Sequence, residues 1–475
     1  MRRAKIVCTL GPATETLDMI QALVDAGMDV ARINRSHGDP AEHAKVIANV
    51  RAAAQSSGRS VAVLVDLQGP KIRLGRFVEG HHELAVGDTF TITTDDVEGT
   101  KERVSTTFKG LTGDVSPGDP ILIDDGKVLV RVVEVQGTDV ITRVEVPGTV
   151  SNNKGLNLPG VAVSVPALSD KDETDLRWGL AQGCDFIALS FVRSAQDYDR
   201  VRQIMEEEGR VVPVIAKIEK PQAVENLAEI IAAFDGIMVA RGDLGVELPL
   251  EQVPLVQKRA VELARRNAKP VIVATQVLES MTTNPRPTRA EASDCANAVL
   301  DGADAVMLSG ETSVGDYPVE TVRTMARIIE STEELGRERI APLGSTPYTR
   351  GGVITRAAAE IGETIGVKYL VTFTQSGDSA RRMSRLRSSI PLLAFTPITS
   401  VRNVLALSWG VQTYEVPQVA STDEMVRQVD QTLRANGLAE VGEYVVVVSG
   451  APVGVVGSTN SVVVHKIGDE SDRKA

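Results

Sequence analysis

The chain has 475 residues, 43% of them hydrophobic and 24% charged, and a formal charge of −12 from 51 basic and 63 acidic side chains. That length exceeds what one compact core holds, so two or three domains are expected. The acidic surplus argues against nucleic acid and anionic membranes as partners, no apolar run approaches the ~20 residues that cross a bilayer, and any anionic substrate needs cations concentrated locally.

In chain order, Met1-Arg2-Arg3-Ala4 runs straight into the apolar Ile6-Val7-Cys8, without the h-region or cleavage site of a signal peptide, which predicts a cytoplasmic protein. One pattern then recurs: a short β-rich apolar segment, a few polar or glycine residues, and an amphipathic helical stretch. The apolar segments are 5–10, 30–34, 61–66, 186–191, 212–218, 236–240, 271–275 and 305–308. Most are near-continuous Val/Ile/Leu/Ala runs, as expected of parallel strands buried on both faces. Helices are predicted between them, over 16–26, 221–234 and 250–267 among others, with Gly27 at a C-cap and Pro221 in a first turn. Eight βα units in succession predict an α/β fold of the (β/α)8 TIM-barrel type; a doubly wound open sheet is the runner-up.

One interval breaks the rhythm. Between the third and fourth strands, residues 70–168 alternate apolar and polar positions around turns such as Ser116-Pro117-Gly118-Asp119. This predicts a small antiparallel, β-barrel-like domain inserted over the active face, a natural lid. The barrel would then comprise 1–69 and 169–341. Residues 342–475 form a C-terminal α/β domain, with helices over 353–365, 378–387, 399–407 and 422–435 and strands over 369–373, 392–395, 444–449 and 462–465. The charged tail 468–475 is expected to be disordered.

Working residues of such barrels stand at the C-terminal strand ends. Here these ends read Arg32-Ile33-Asn34-Arg35-Ser36-His37, Asp66, Lys217-Ile218-Glu219, Ala240-Arg241-Gly242-Asp243, Thr275-Gln276 and Ser309-Gly310-Glu311-Thr312. A single charged residue past a strand is more often a helix cap, but several coinciding ends point to a site. Lys217 and Glu219 share one face of their strand, and if both point inward they must be paired or bind something charged. Glu219 and Asp243, on adjacent strands, suit a hard divalent cation whose other positions go to water and substrate oxygens, as Mg²⁺ prefers. The plainer reading is a buried Lys217–Glu219 or Arg241–Asp243 ion pair. Arg32, Arg73, Lys154, Lys217 and Arg241 would supply the local positive potential.

These ends lie within longer motifs: Lys5-Ile6-Val7-Cys8-Thr9-Leu10-Gly11-Pro12, Asn34-Arg35-Ser36-His37-Gly38, Asp66-Leu67-Gln68-Gly69-Pro70-Lys71-Ile72-Arg73, Met238-Val239-Ala240-Arg241-Gly242-Asp243, Ala274-Thr275-Gln276 and Met307-Leu308-Ser309-Gly310-Glu311-Thr312. Taken in order, from Ala4 to about Gly468, they resemble the pyruvate kinases. The resemblance implies transfer of the phosphoryl group of phosphoenolpyruvate to ADP, giving pyruvate and ATP. It implies Mg²⁺ (or Mn²⁺) on Glu219 and Asp243. The Ala240-Arg241-Gly242 backbone, with Asp243 beside it, and Thr275 would hold the substrate carboxylate, while Arg32 and Lys217 would contact the phosphoryl group. Arg73, Lys154 and Asn34, Arg35, Ser36 and His37 would meet the nucleotide phosphates. Thr275, Ser309 and Glu311 are candidates for a proton relay to the enolate.

Asn34, Ser36, Asp66 and the Leu67 carbonyl match the family's potassium site. Members that require potassium usually read Gly-Pro-Glu where this chain has Gly69-Pro70-Lys71, so the Lys71 ammonium is expected to make K⁺ dispensable. Residues 342–475 resemble the family's effector domain. In it Thr374, Gln375, Ser376, Gly377 and Ser379 offer phosphate-binding chemistry at a helix start, while Asp378 disfavours fructose 1,6-bisphosphate relative to a sugar monophosphate or AMP. A plain helix-capping turn is the alternative. The resemblance also implies a homotetramer. Cys8, Cys184 and Cys295 read as buried thiols, His37 as a hydrogen-bonded part of the nucleotide loop, His81-His82 as solvated, and Trp178 and Trp409 as packing. The rival functions are a Mg²⁺-dependent 2-keto acid aldolase or lyase, and a non-catalytic metabolite sensor.

Overall fold

The computed structural model describes residues 2–161 and 163–469. Eight strands, β1 (Lys5–Thr9), β2 (Val30–Asn34), β3 (Ala62–Asp66), β4 (Phe186–Leu189), β5 (Val214–Ile218), β6 (Gly236–Ala240), β7 (Val271–Ala274) and β8 (Ala305–Leu308), pair in parallel and in sequence order into a closed barrel. Alternate residues of each strand enter different cores. Val7, Val30, Leu64, Ile215, Met238, Ile272 and Met307 fill the interior, while Ile6, Ile33, Val63, Val65 and Ile187 pack against the surrounding helices. Burial on both sides is why the sequence shows runs rather than alternation.

The base of the barrel repeats one device four times. Asp29, Asp185, Asp235 and Asp304 stand just before β2, β4, β6 and β8, and each carboxylate accepts the backbone N–H of the first or second residue of the preceding strand: Ile6 (2.8 Å), Val63 (2.7 Å), Val214 (2.9 Å) and Val271 (3.2 Å). Each Asp N–H returns a bond to the same residue's carbonyl. Edge groups that a parallel ladder leaves open are thereby satisfied without water. Two of the four also anchor the C-terminal region: Asp304 accepts the Trp409 N–H (3.0 Å), and Asp185 accepts from Asn403 (3.2 Å). Leu407 and Ala406 plug the barrel interior from below.

The insertion builds a six-stranded sheet in the order Leu156–Asn157, Pro120–Ile123, Val128–Gln136, Asp139–Val146, Thr89–Thr93, Arg103–Ser105, and a two-stranded ribbon of His81–Leu84 with Gly148–Ser151. It is not wholly antiparallel, since Thr89–Thr93 and Arg103–Ser105 run parallel. Nor does it close by a continuous ladder: isolated bridges Arg73–Gly155 and Leu74–Thr106 stitch the segment at 73–74 to neighbours of both edge strands. Its core is separate, centred on Phe90, Ile92, Val104, Ile121 and Val130.

In the C-terminal region the sheet order is Val411–Glu415, Leu392–Thr396, Tyr369–Phe373, Tyr444–Gly450, Thr459–Lys466, the last strand antiparallel. Val411–Glu415 is absent from the predicted strands, because its half-exposed edge position gives no apolar run. The helix expected over 221–234 is two, Pro221–Glu225 and Leu227–Ala233, parted at Asn226, whose side chain donates to the Arg193 carbonyl (2.9 Å). The stretch at 250–267 opens with a 3₁₀ turn, Leu250–Gln252, before the helix Val253–Arg266. Residues of the charged tail from 470 on lie outside the described residues. All three cysteines are buried. His82 is not solvated but packs edge-on to Phe77 with ring centroids 5.5 Å apart. Among the described residues no helix is long and apolar enough to cross a membrane.

Candidate active site

The interior face of the barrel changes character at its C-terminal layer. Two residues beyond the apolar Val7, Val30, Leu64, Ala188, Ile215 and Met307 stand Thr9, Arg32, Asp66, Ser190, Lys217 and Ser309. Period two therefore aims these polar groups at one another above the apolar plug. Lys217 and Glu219 both point inward, at 9% and 0% exposure. The Lys217 ammonium lies 2.9 Å from Glu219 Oε1 and 3.4 Å from Asp66 Oδ1, and donates to Ser190 Oγ at 2.8 Å. Ser190 in turn donates to the Leu67 carbonyl at 2.7 Å. Arg32 Nε donates to Asp66 Oδ2 (2.7 Å) and its Nη1 to Thr9 (2.9 Å).

Two cations and two carboxylates thus share a nearly dry layer. Burial opposes the charge on Lys217, but Asp66 and then Glu219 outweigh it and raise its pKa. Burial alone would raise Asp66, which Lys217 and Arg32 instead hold below the usual carboxylate range. Glu219 remains raised: burial, with Asp243 nearby, exceeds the pull of Lys217 and the Phe191 N–H that donates to Oε2 at 2.7 Å. Asp66 Oδ1 and Glu219 Oε1 are buried and accept no well-directed hydrogen bond. A carboxylate that is dry, incompletely satisfied and neighboured by a second carboxylate suits a bound cation, so Glu219, with Asp243 near it, fits a divalent ion completed by substrate and water oxygens.

Beside this layer, Thr275 adopts φ +67° and Gln276 φ +54°. A left-handed backbone is costly for β-branched threonine and marks a constrained position. It turns Thr275 Oγ1 to accept the Gly242 N–H at 2.8 Å, at the start of the helix Arg241–Glu247. Glu311, raised by burial, accepts the Ser309 N–H at 2.7 Å, and the Ser309 hydroxyl is buried without a partner. A cavity of about 270 Å³ separates barrel from insertion, lined by Lys71, Arg73, Lys154, Arg193 and Lys220 together with Asp124, Asp125 and Asp243. Here the acidic chain gathers the cations that an anionic substrate demands.

Two predicted site residues point elsewhere. The Arg35 guanidinium is buried, held by Asp175 (2.8 Å) and lying over the Trp178 ring (4.5 Å), because the helix Asp170–Ala181 covers it. Trp178 therefore also seats a cation. Arg241 pairs not with Asp243 but with Asp294 (2.8 Å) and caps the Thr275 carbonyl (2.8 Å). Lys154 is ion-paired to Asp124 (3.0 Å), and Arg73 donates to the Asn153 carbonyl (2.9 Å). Asn34 Oδ1 accepts the Ser36 N–H (3.1 Å), and His37 is exposed. Sequence reasoning missed Ser190, Phe191, Lys220 and Asp124. Period two from Ala188 would have found Ser190. In the C-terminal region, the Thr374 hydroxyl accepts the Gly377 N–H (2.8 Å), Gln375 donates to Gln418 (2.9 Å), and Ser376 and Ser379 line a small cavity facing the loop at 450–459.

Residues 1–322 match the family described as pyruvate kinase, barrel domain, and residues 353–465 match pyruvate kinase, alpha/beta domain. The chain is 59% identical over 469 residues to a pyruvate kinase of Mycobacterium intracellulare, covering 99% of each. It is 58% identical over 470 residues to one of Corynebacterium glutamicum, covering 99% of this chain and 98% of that. Among solved structures, a pyruvate kinase from Cryptosporidium parvum is similar with a TM-score of 0.92 at 34% identity, covering 98% of this chain and 96% of the other.

Proposed function

The chain belongs to the pyruvate kinase family of phosphotransferases, and on that premise we propose the part that each side chain takes in moving the phosphoryl group of phosphoenolpyruvate to ADP. The observation that carries the reading is the Arg32–Asp66–Lys217–Glu219 array, dry and held at the strand ends. Glu219 and Asp243 would hold Mg²⁺, with Mn²⁺ as substitute. When bound, the ion neutralises phosphoryl charge and acts as Lewis acid toward substrate oxygens. The backbone at 240–242 and Thr275 receive the substrate carboxylate. Arg32 and Lys217 face the equatorial oxygens of the transferring group, where charge accumulates as the enol P–O bond breaks and the bond to the ADP β-phosphate forms.

Lys217, whose carboxylate neighbours favour its charged form, stabilises the enolate as a cation. The proton that reaches carbon comes through Ser309, Thr275 and Glu311: burial raises Glu311, so it keeps a proton to higher pH than an ordinary carboxylate. Arg73, Lys154, Ser36, His37 and Asn34 meet the nucleotide phosphates, Lys154 after leaving Asp124; Arg35 contributes its backbone only. The segment at 70–168 closes as a lid and excludes water. Formation of ATP from phosphoenolpyruvate, ADP and Mg²⁺ tests the reading, and no turnover at saturating substrates would overturn it.

The potassium donors are Asn34, Ser36, Asp66 and the Leu67 carbonyl. Arg32 and Lys217 already compensate Asp66, and the Lys71 ammonium, exposed and unpaired among the described residues, supplies the charge of a monovalent cation. The cavity beside Ser376 and Ser379 takes a phosphorylated effector, a sugar monophosphate or AMP. Replacing both serines with alanine abolishes activation by either; unchanged activation would rule the loop out. The exposed edge strand Thr459–Lys466 suits a subunit contact in a homotetramer, and a one-chain mass in sedimentation would exclude it.

A further inference from the structure

Glu247 ends the helix Arg241–Glu247, one turn after Asp243 and on the same side. Its side chain is 1% exposed, yet it takes no part in the site described above. One oxygen, Oε1, accepts from two elements at once. Lys220 Nζ lies 2.6 Å away, and Asn157 Nδ2 donates at 2.9 Å. Lys220 is the residue after Glu219 and also lies 5.4 Å from the Phe191 ring, whose own N–H holds Glu219. Asn157 belongs to the insertion: the strand Leu156–Asn157 pairs with Pro120–Ile123, the strand that ends next to Asp124, the partner of Lys154.

A single buried oxygen thus joins the insertion to the two barrel segments that carry Glu219 and Asp243. Buried ion pairs keep their geometry only when each partner is satisfied, and removing one donor leaves the others free to shift. We propose that Glu247 is a positioning residue that couples docking of the insertion to the spacing of the two metal-binding carboxylates, through Asn157 on one side and Lys220 on the other. Docked, Asn157 and Lys220 hold Glu247 and with it the helix of Asp243. Undocked, Lys220 and the turn after β5 lose a restraint, and the divalent site loosens as the lid opens.

This rests on the reading of Glu219 and Asp243 as metal ligands, and the experiment separates the two. Mn²⁺ binding to the full-length enzyme is titrated by electron paramagnetic resonance, without substrates, for wild type, Glu219→Gln, Glu247→Gln, Asn157→Ala and the Glu247→Gln/Asn157→Ala pair. Glu219→Gln should abolish tight binding; if it does not, the metal reading itself fails. Glu247→Gln should weaken Mn²⁺ about tenfold and Asn157→Ala, which touches neither ligand, severalfold. The pair should be no weaker than Glu247→Gln alone, because both act through one oxygen. A purely structural Glu247 would lower the thermal midpoint and leave the Mn²⁺ isotherm of Asn157→Ala unchanged. That result, or additive effects in the pair, would overturn the coupling. Asn157→Ala removes one partly buried side-chain hydrogen bond and leaves the strand backbone intact, so the test survives if Glu247→Gln does not fold.

Discussion

Lys217→Ala removes the positive charge at the centre of the strand-end layer. The Lys217 side chain is 11% exposed and its ammonium is ringed by Asp66, Glu219 and Ser190, so little water screens it. A unit charge developing ~4 Å away at an effective dielectric constant of ~20 interacts with it by about 4 kcal/mol. At about 1.4 kcal/mol per decade, that is roughly three powers of ten in rate. The interaction strengthens as charge shifts onto the phosphoryl oxygens and the enolate, so kcat and kcat/KM should fall together. Lys217→Arg should not restore the rate, because a planar guanidinium does not fit a pocket shaped for a compact ammonium between two carboxylates. The assay is ATP formation at saturating phosphoenolpyruvate, ADP and Mg²⁺, with the thermal midpoint followed alongside. A kcat within tenfold of wild type in a folded Lys217→Ala enzyme would reduce Lys217 to a structural ion-pair partner.

Glu219 holds its proton more tightly in the folded chain than in the unfolded one, so without metal its contribution to stability is present at low pH and lost as pH rises through its raised folded value. The rise in thermal midpoint given by Mg²⁺ should therefore grow as pH climbs toward that raised value and vanish in Glu219→Gln; a pH-independent rise would contradict this. In potassium-free buffer the wild type should keep most of its activity and Lys71→Glu should become potassium-dependent, whereas activity below a few per cent of the potassium value in wild type would refute the role of Lys71. Asp304→Ala strips Arg387, whose side chain is 3% exposed, of its carboxylate at 3.3 Å and unties the Trp409 N–H. It should cost about 3–5 kcal/mol and lower the thermal midpoint clearly, against about 0–1 kcal/mol for cutting the exposed Arg327–Glu320 pair; equal shifts would show that the cap carries no such weight.

The barrel was legible because its strands are buried on both faces. Gly236–Ala240 and Ala305–Leu308 end where their apolar runs end, and the polar residues just beyond them mark the C-terminal layer. Period two was enough to put Lys217 and Glu219 on one face of their strand, and the closed barrel turned that face inward. Single-residue chemistry also sufficed for the caps, such as Gly27 and Pro221. Partner choice was not legible, because it depends on which distant segment covers a side chain. Arg35 and Arg32 look alike in sequence, yet the helix Asp170–Ala181 brings Asp175 and Trp178 over one while Asp66 on the neighbouring strand takes the other. Arg241 stands two residues from Asp243 in the chain but reaches Asp294, since side chains two apart on a helix diverge. Ser190, Asp124, Lys220 and Glu247 acquire their partners only in the folded chain, through contacts between segments some thirty to well over a hundred residues apart. Local spacing settled which barrel strands form and which of their residues share a face; the partners of buried charges were decided by the fold, because satisfying a buried charge depends on everything packed around it and not on its neighbours in the chain.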